Sequence, residues 1–133
     1  MNTTGFIFDF DGTLIDSVRD ITRAVNDVFD ERDIPPVSDD EVERGIGHGA
    51  KELVEALLDN PPTDGALDQM VADFRRHYRT RCTETIRPYE GIKAVLETLK
   101  EQNRGIVTNK PYDMTATILG ELGWQDWFDP VYG

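Results

Sequence analysis

Residues 17–82 show helical periodicity throughout and no strand signal, yet they lie between two short apolar runs that read as strands, 5–10 and 105–109. The first run, GFIFDF, is rich in aromatic and β-branched residues and ends at Asp11-Gly12, a turn signal. A helix is expected from Ser17 to Arg32, with Val18, Ile21, Val25, Val28 and Phe29 at helical spacing and Asp16 or Ser17 as its N-cap. Pro35-Pro36 breaks the chain, and Ser38 followed by Glu41 three residues later is a capping box. Leu53, Val54, Leu57 and Leu58 mark a third helix after the Gly45–Gly49 loop. Leu67, Met70, Val71, Phe74 and Tyr78 mark a fourth, from Asp64 to Arg81. The pattern then changes to a turn at 87–91, a helix from Ile92 that stops near Asn103, the strand 105–109, a helix over 112–122 closed by Gly123, and the opening of a third strand at 130–133. Strand, helical insert, helix, strand, helix, strand is the order of an α/β domain with a Rossmann-like parallel sheet, interrupted early by a helical segment.

The chemistry concentrates where the first strand ends. Asp9 and Asp11 stand two residues apart at that tip, and ligands of open parallel sheets gather beyond the carboxyl ends of the strands. There one carboxylate can attack phosphorus while the other protonates the departing oxygen and then deprotonates water. Two anions facing an anionic phosphate call for a hard cation, and oxygen ligands favour Mg²⁺. The bare Asp-x-Asp pattern also fits simple turn chemistry, and the sequence alone leaves both open. The second strand ends at Thr108-Asn109, which brings a hydroxyl and backbone amides to the same sheet edge, where phosphoryl oxygens would find donors.

Charge narrows the partners. The chain carries 26 acidic and 14 basic residues, a net charge of −12, and such a field repels nucleic acid and anionic membranes. Arg75, Arg76, Arg79 and Arg81 form a local basic group, read as the solvated side of the fourth helix. No apolar run approaches the roughly 20 residues of a membrane helix. The N-terminal residues lack a basic leader, which points to a cytoplasmic location. The single cysteine, Cys82, is expected to be a small packing residue.

Residues 8–17, FDFDGTLIDS, closely resemble the first motif of haloacid dehalogenase superfamily phosphatases, and Ile106–Pro111, IVTNKP, resembles their second. The stretch Gly47–Val54, the Arg87–Gly91 turn and the Thr-Asn-Lys-Pro sequence are most similar to the phosphoglycolate phosphatase-like branch. The resemblance implies that Asp9 is the nucleophile and a Mg²⁺ ligand. It implies that Asp11 is the general acid/base, with its backbone carbonyl on the metal, and that Thr108 and the Asn109 amide hold the phosphoryl group. It also implies a core made of residues 1–15 and 85–133 and a helical cap, residues 16–84, that closes over the substrate. The Gly47–Lys51 loop would then set specificity, with His48 and Lys51 as its polar candidates. Lys110 is not promoted, because the family's phosphate-binding lysine belongs to a later motif.

That later motif and the acidic fourth motif are expected beyond Gly133, so the chain reads as a fragment with weak or no activity alone and an incompletely covered sheet. The expected function is Mg²⁺-dependent hydrolysis of a small phosphate monoester such as 2-phosphoglycolate, by a monomer or homodimer. The alternatives are a sugar-phosphate mutase or pyrophosphatase of the same superfamily, or a non-catalytic phosphate-binding module.

Overall fold

The structure, a computed structural model, describes residues 5–133. Residues 1–4, part of the expected core segment, lie outside the described residues. The elements follow in the order β1 (Gly5–Phe8), β2 (Ile15–Asp16), α1 (Val18–Asp30), α2 (Asp39–Gly45), α3 (Ala50–Ala56), α4 (Ala66–Arg81), β3 (Arg87–Pro88), α5 (Ile92–Thr98), β4 (Asn103–Val107), α6 (Tyr112–Leu122) and β5 (Val131–Tyr132).

Strands β1, β4 and β5 form a parallel sheet in the order β1-β4-β5, with Phe8 opposite Ile106 and Val107 opposite Tyr132. Both crossovers, through α5 and through α6, step the same way across this sheet. The right-handed rule then puts both helices on one face. Ile106, Leu96 and Ile118 are accordingly fully buried in one core, whereas Ile7, Val107 and Tyr132, on the opposite face, are 67%, 51% and 63% exposed.

Two strand ends differ from the sequence expectation. β1 stops at Phe8 rather than Phe10, because the Phe10 carbonyl accepts from the Thr13, Leu14 and Ile15 amides and curls the chain away from the ladder. β4 runs over 103–107 rather than 105–109, since its register against β1 begins at Asn103 opposite Gly5. Helix α5 likewise ends at Thr98, short of Asn103. The antiparallel pair of β2 and β3 has no signal in the sequence. It sets Ile15 opposite Pro88 and Asp16 opposite Arg87, so the chain leaves for the helical segment and returns from it side by side.

Within 18–81 the four expected helices form, and α1 packs on α4 through buried Val25, Val28, Phe29, Met70, Phe74 and Tyr78. Ser38 caps α2 as expected: its side chain accepts from the Glu41 amide, and the Glu41 carboxylate accepts from the Ser38 amide at 2.8 Å. Ion pairs join α1 and the turn after it to α4, with Arg32 to Asp73 at 2.5 Å and Arg81 to Asp27 at 2.6 Å.

The Arg32 hydrogen bond holds the Asp73 carboxyl below the usual aspartate range. A lowered folded pKa means that this contribution is complete above the unfolded value of about 4 and is lost as pH falls through the folded one. Asp73→Asn is therefore expected to lower stability at pH 7 and to flatten the acid side of the stability–pH curve, the two proteins converging as pH falls through the folded pKa, as pH-dependent urea melts would read directly. Equal acid slopes in the two proteins would remove Asp73 from the account.

Candidate active site

The turn after β1 places two carboxylates at one cleft. Asp9 leaves the strand tip exposed, its Oδ1 accepting from the Phe10 amide at 2.7 Å. Gly12 adopts φ +77°, a left-handed conformation open to glycine at little cost, and this folds the loop back so that its amide donates to the Ile15 carbonyl. Asp11, a residue earlier, is thereby turned towards the start of α1. Its Oδ1 accepts from the Ser17 hydroxyl at 2.6 Å. Ser17 was a candidate N-cap for α1, but its side chain makes no cap bond; Asp16 Oδ1 accepts weakly from the Val18 amide instead, at 3.4 Å.

The next strand delivers the other expected residues to the same place. Asp9, Asp11, Thr108 and Asn109 all line one cleft of about 70 Å³ between the sheet edge and the helical segment. The Thr108 hydroxyl oxygen accepts from the Lys110 amide at 3.1 Å, which leaves its own hydrogen available to an acceptor. The Asn109 side-chain amide donates to the Gly47 carbonyl at 2.7 Å and so ties the sheet edge to the glycine loop.

His48 and Lys51 are not brought to the cleft. Gly49 precedes α3 with φ +102°, and the helix then turns Ala50 and Leu53 inward, at i and i+3. Lys51 consequently faces outward and pairs with Asp68 at 3.4 Å, and His48 is exposed and absent from the lining. The loop's contribution to the lining is Gly45, Ile46, Gly47 and Gly49.

Two lining residues were passed over in the sequence. Lys110 is only 7% exposed. Its ammonium lies 3.1 Å from Asp11 Oδ1, donates to the hydroxyl of Tyr78 on α4, and sits 4.2 Å from the centre of that ring. Burial pulls the Lys110 pKa below the usual lysine value, and the Asp11 carboxylate opposes that shift. Burial likewise pushes the Tyr78 phenol well up, with the Asp11, Cys82 and Asp20 charges acting the same way. The second residue is Arg75, also on α4, which lines the cleft while remaining exposed. Its neighbours Arg76, Arg79 and Arg81 form ion pairs on the surface, as a solvated helix side should. Tyr78 stood at a legible core position, four residues after Phe74, but nothing in the sequence revealed which buried polar group its hydroxyl would meet.

Chemically, the cleft offers an unpaired carboxylate at its mouth, a second carboxylate fixed by two donors, and hydroxyl and amide groups at the end of β4. No group of three or more metal-ligating side chains occurs among the described residues. No helix among them is long and apolar enough to cross a membrane.

Known proteins resemble this chain over nearly its whole length. The sequence profile of the haloacid dehalogenase-like hydrolase family matches residues 6–133. A phosphoglycolate phosphatase from Rhodobacter capsulatus is 36% identical over 96% of this chain and 60% of its own length. One from Aquifex aeolicus is 33% identical over 96% and 59%. An N-acetylmuramic acid 6-phosphate phosphatase from Pseudomonas aeruginosa is 27% identical over 95% and 57%. Among solved structures, a haloacid dehalogenase-like hydrolase from Bacteroides fragilis superposes with a TM-score of 0.88 at 25% identity, covering 99% of this chain and 63% of the other. The chain thus spans about 60% of the length of the curated relatives it matches.

Proposed function

The chain belongs to the haloacid dehalogenase-like hydrolase family, and on that premise we propose that it supplies the nucleophile and the acid–base carboxylate of a phosphatase acting on a small phosphorylated acid of the 2-phosphoglycolate type. The observation that carries this reading is the meeting of Asp9, Asp11, Thr108 and Asn109 in one cleft, from two neighbouring strand ends. The phosphatases named above are named for phosphate esters of an acid, phosphoglycolate or N-acetylmuramic acid 6-phosphate. Mutase and pyrophosphatase readings share the same two carboxylates, and no feature of the cleft favours them.

Asp9 attacks phosphorus and forms an aspartyl-phosphate as the alkoxide leaves. Asp11 gives the leaving oxygen its proton and later takes one from the water that cleaves the acyl-phosphate. Thr108 and the backbone at Asn109 donate to the phosphoryl oxygens. A Mg²⁺ ion fits the donor set, because this ion is commonly held by one or two carboxylates, with waters and substrate phosphate completing its shell. Asp9 and the backbone carbonyl of Asp11 would hold it, and it would offset the repulsion between carboxylate and phosphate.

In this reading residues 16–84 are the cap and residues 1–15 and 85–133 the core. The β2–β3 pair at the two crossings supports those bounds. The cap side of the cleft is apolar, with Ile21, Ile46, Leu53 and Phe74 in its wall, which suits exclusion of water from the acyl-phosphate.

The test is release of inorganic phosphate from 2-phosphoglycolate and from p-nitrophenyl phosphate by the purified chain in Mg²⁺. Slow release that disappears with EDTA and returns with Mg²⁺ is the expected result, in line with the weak activity expected of this chain alone. Binding of phosphate without any release would favour the phosphate-binding module instead.

A further inference from the structure

Four charged side chains line the cleft: Asp9, Asp11, Lys110 and Arg75. The ammonium of Lys110 is already engaged by Asp11 and by the Tyr78 hydroxyl. Arg75 is different. Among the described residues no carboxylate lies within ion-pair distance of it, although the chain holds 26 acidic residues against 14 basic ones. The three other arginines of α4 all have partners: Arg76 pairs with Asp73 at 3.2 Å, Arg79 with Asp113 at 2.9 Å and Arg81 with Asp27 at 2.6 Å. The arginine without a carboxylate is the one that faces the cleft.

The helical side of the cleft is otherwise apolar or glycine backbone, apart from the Tyr78 hydroxyl that Lys110 occupies. Arg75 is therefore the one charge that this side presents to a ligand. The opposite, sheet-edge side holds the groups suited to a phosphoryl group. A ligand seated with its phosphoryl group at Thr108 and Asn109 would turn its other end towards α4.

We propose that Arg75 determines specificity by binding a second anionic group, a carboxylate, on the substrate. This rests on the phosphatase reading of the same cleft and deepens it, since it says which end of a phosphorylated acid is read and by which residue. A guanidinium suits the task because its planar fork meets both carboxylate oxygens at once. The apolar wall beside it lowers the local dielectric and strengthens the pair. It also explains how a strongly acidic protein admits a ligand with two anionic ends.

The proposal is tested by isothermal titration of 2-phosphoglycolate and of ethyl phosphate, which has a similar size but no carboxylate. Titrations are run in Mg²⁺ with Asp9→Asn as the parent, so that no ester is turned over. Arg75 is exposed, and its replacement leaves the core untouched. Adding Arg75→Met is expected to weaken 2-phosphoglycolate by about tenfold, equivalent to 1.4 kcal/mol, and to leave ethyl phosphate unchanged. Arg75→Lys is expected to recover part of the loss, because the charge returns without the fork. Equal losses for both esters, or no loss for either, overturn the role of Arg75 and leave the phosphatase reading standing. A parent that binds ethyl phosphate as tightly as 2-phosphoglycolate has the same meaning. A parent that binds neither ester overturns the phosphate site itself, and the proposal with it.

Discussion

Asp9→Asn is expected to lower turnover of any phosphate ester by at least about 10³-fold, because an amide oxygen cannot take the place of the attacking carboxylate. The fold should survive intact. Asp9 is exposed, its one side-chain hydrogen bond among the described residues is the one its Oδ1 accepts from the Phe10 amide, and an asparagine carbonyl can accept the same bond. Phosphate binding should persist, since one negative charge leaves a cleft that receives a dianion while the donors at Thr108 and Asn109 remain. This combination of lost turnover and retained binding separates a nucleophile from a residue that merely shapes the cleft. The measurements are single-turnover phosphate release, alongside phosphate titration of the same samples. Turnover within tenfold of the parent would remove Asp9 from the chemistry.

The second large effect concerns stability. Asp20→Ala is expected to cost about 2–4 kcal/mol, which for a chain of this size corresponds to a fall in Tm of roughly 5–15 °C. Asp20 is fully buried in α1, and its carboxylate accepts from the Thr85 amide at 2.9 and 3.0 Å and from the Thr85 hydroxyl at 2.7 Å. These bonds fasten the segment that returns from the helices onto α1, next to the β2–β3 crossing. Alanine would leave the Thr85 amide and hydroxyl without their acceptor in a poorly hydrated place. Asn at this position should recover only part of the loss, because one of its two terminal groups is a donor facing donors. Urea melts of the parent, Asp20→Ala and Asp20→Asn give the comparison directly. A loss below about 0.5 kcal/mol for alanine would mean that water replaces the carboxylate at no cost.

Asp20 also shows why the sequence reveals one kind of information and hides another. In the sequence it is one acid among many on a helix whose apolar stripe is Val18, Ile21, Val25, Val28 and Phe29. Its burial follows from a partner 65 positions along, at Thr85. The same holds for Ser17, whose place before a helix suggested a cap, while its hydroxyl donates to Asp11. His48 and Lys51 belonged to a glycine loop that does line the cleft, yet one turn of α3 decides that Ala50 and Leu53 face inward and Lys51 outward. Lys110 stood beside Thr108 and Asn109, but its burial against Tyr78 depends on α4 reaching over the sheet edge.

Local chemistry was sufficient for the elements. Apolar spacing, the Ser38–Glu41 cap and the glycine and proline breaks located all six helices, and the apolar runs placed the three strands of the parallel sheet to within two residues. They do so because propensity, capping and periodicity act over a few residues and leave their mark there. The sequence by itself also put Asp9, Asp11, Thr108 and Asn109 at strand ends. Only the tertiary structure decided that those ends share one cleft with Arg75 and Lys110, because side chains on α4 and the sheet edge meet through packing across distant parts of the chain. Such contacts depend on which face of each helix the whole core buries, and no short stretch of residues encodes that choice.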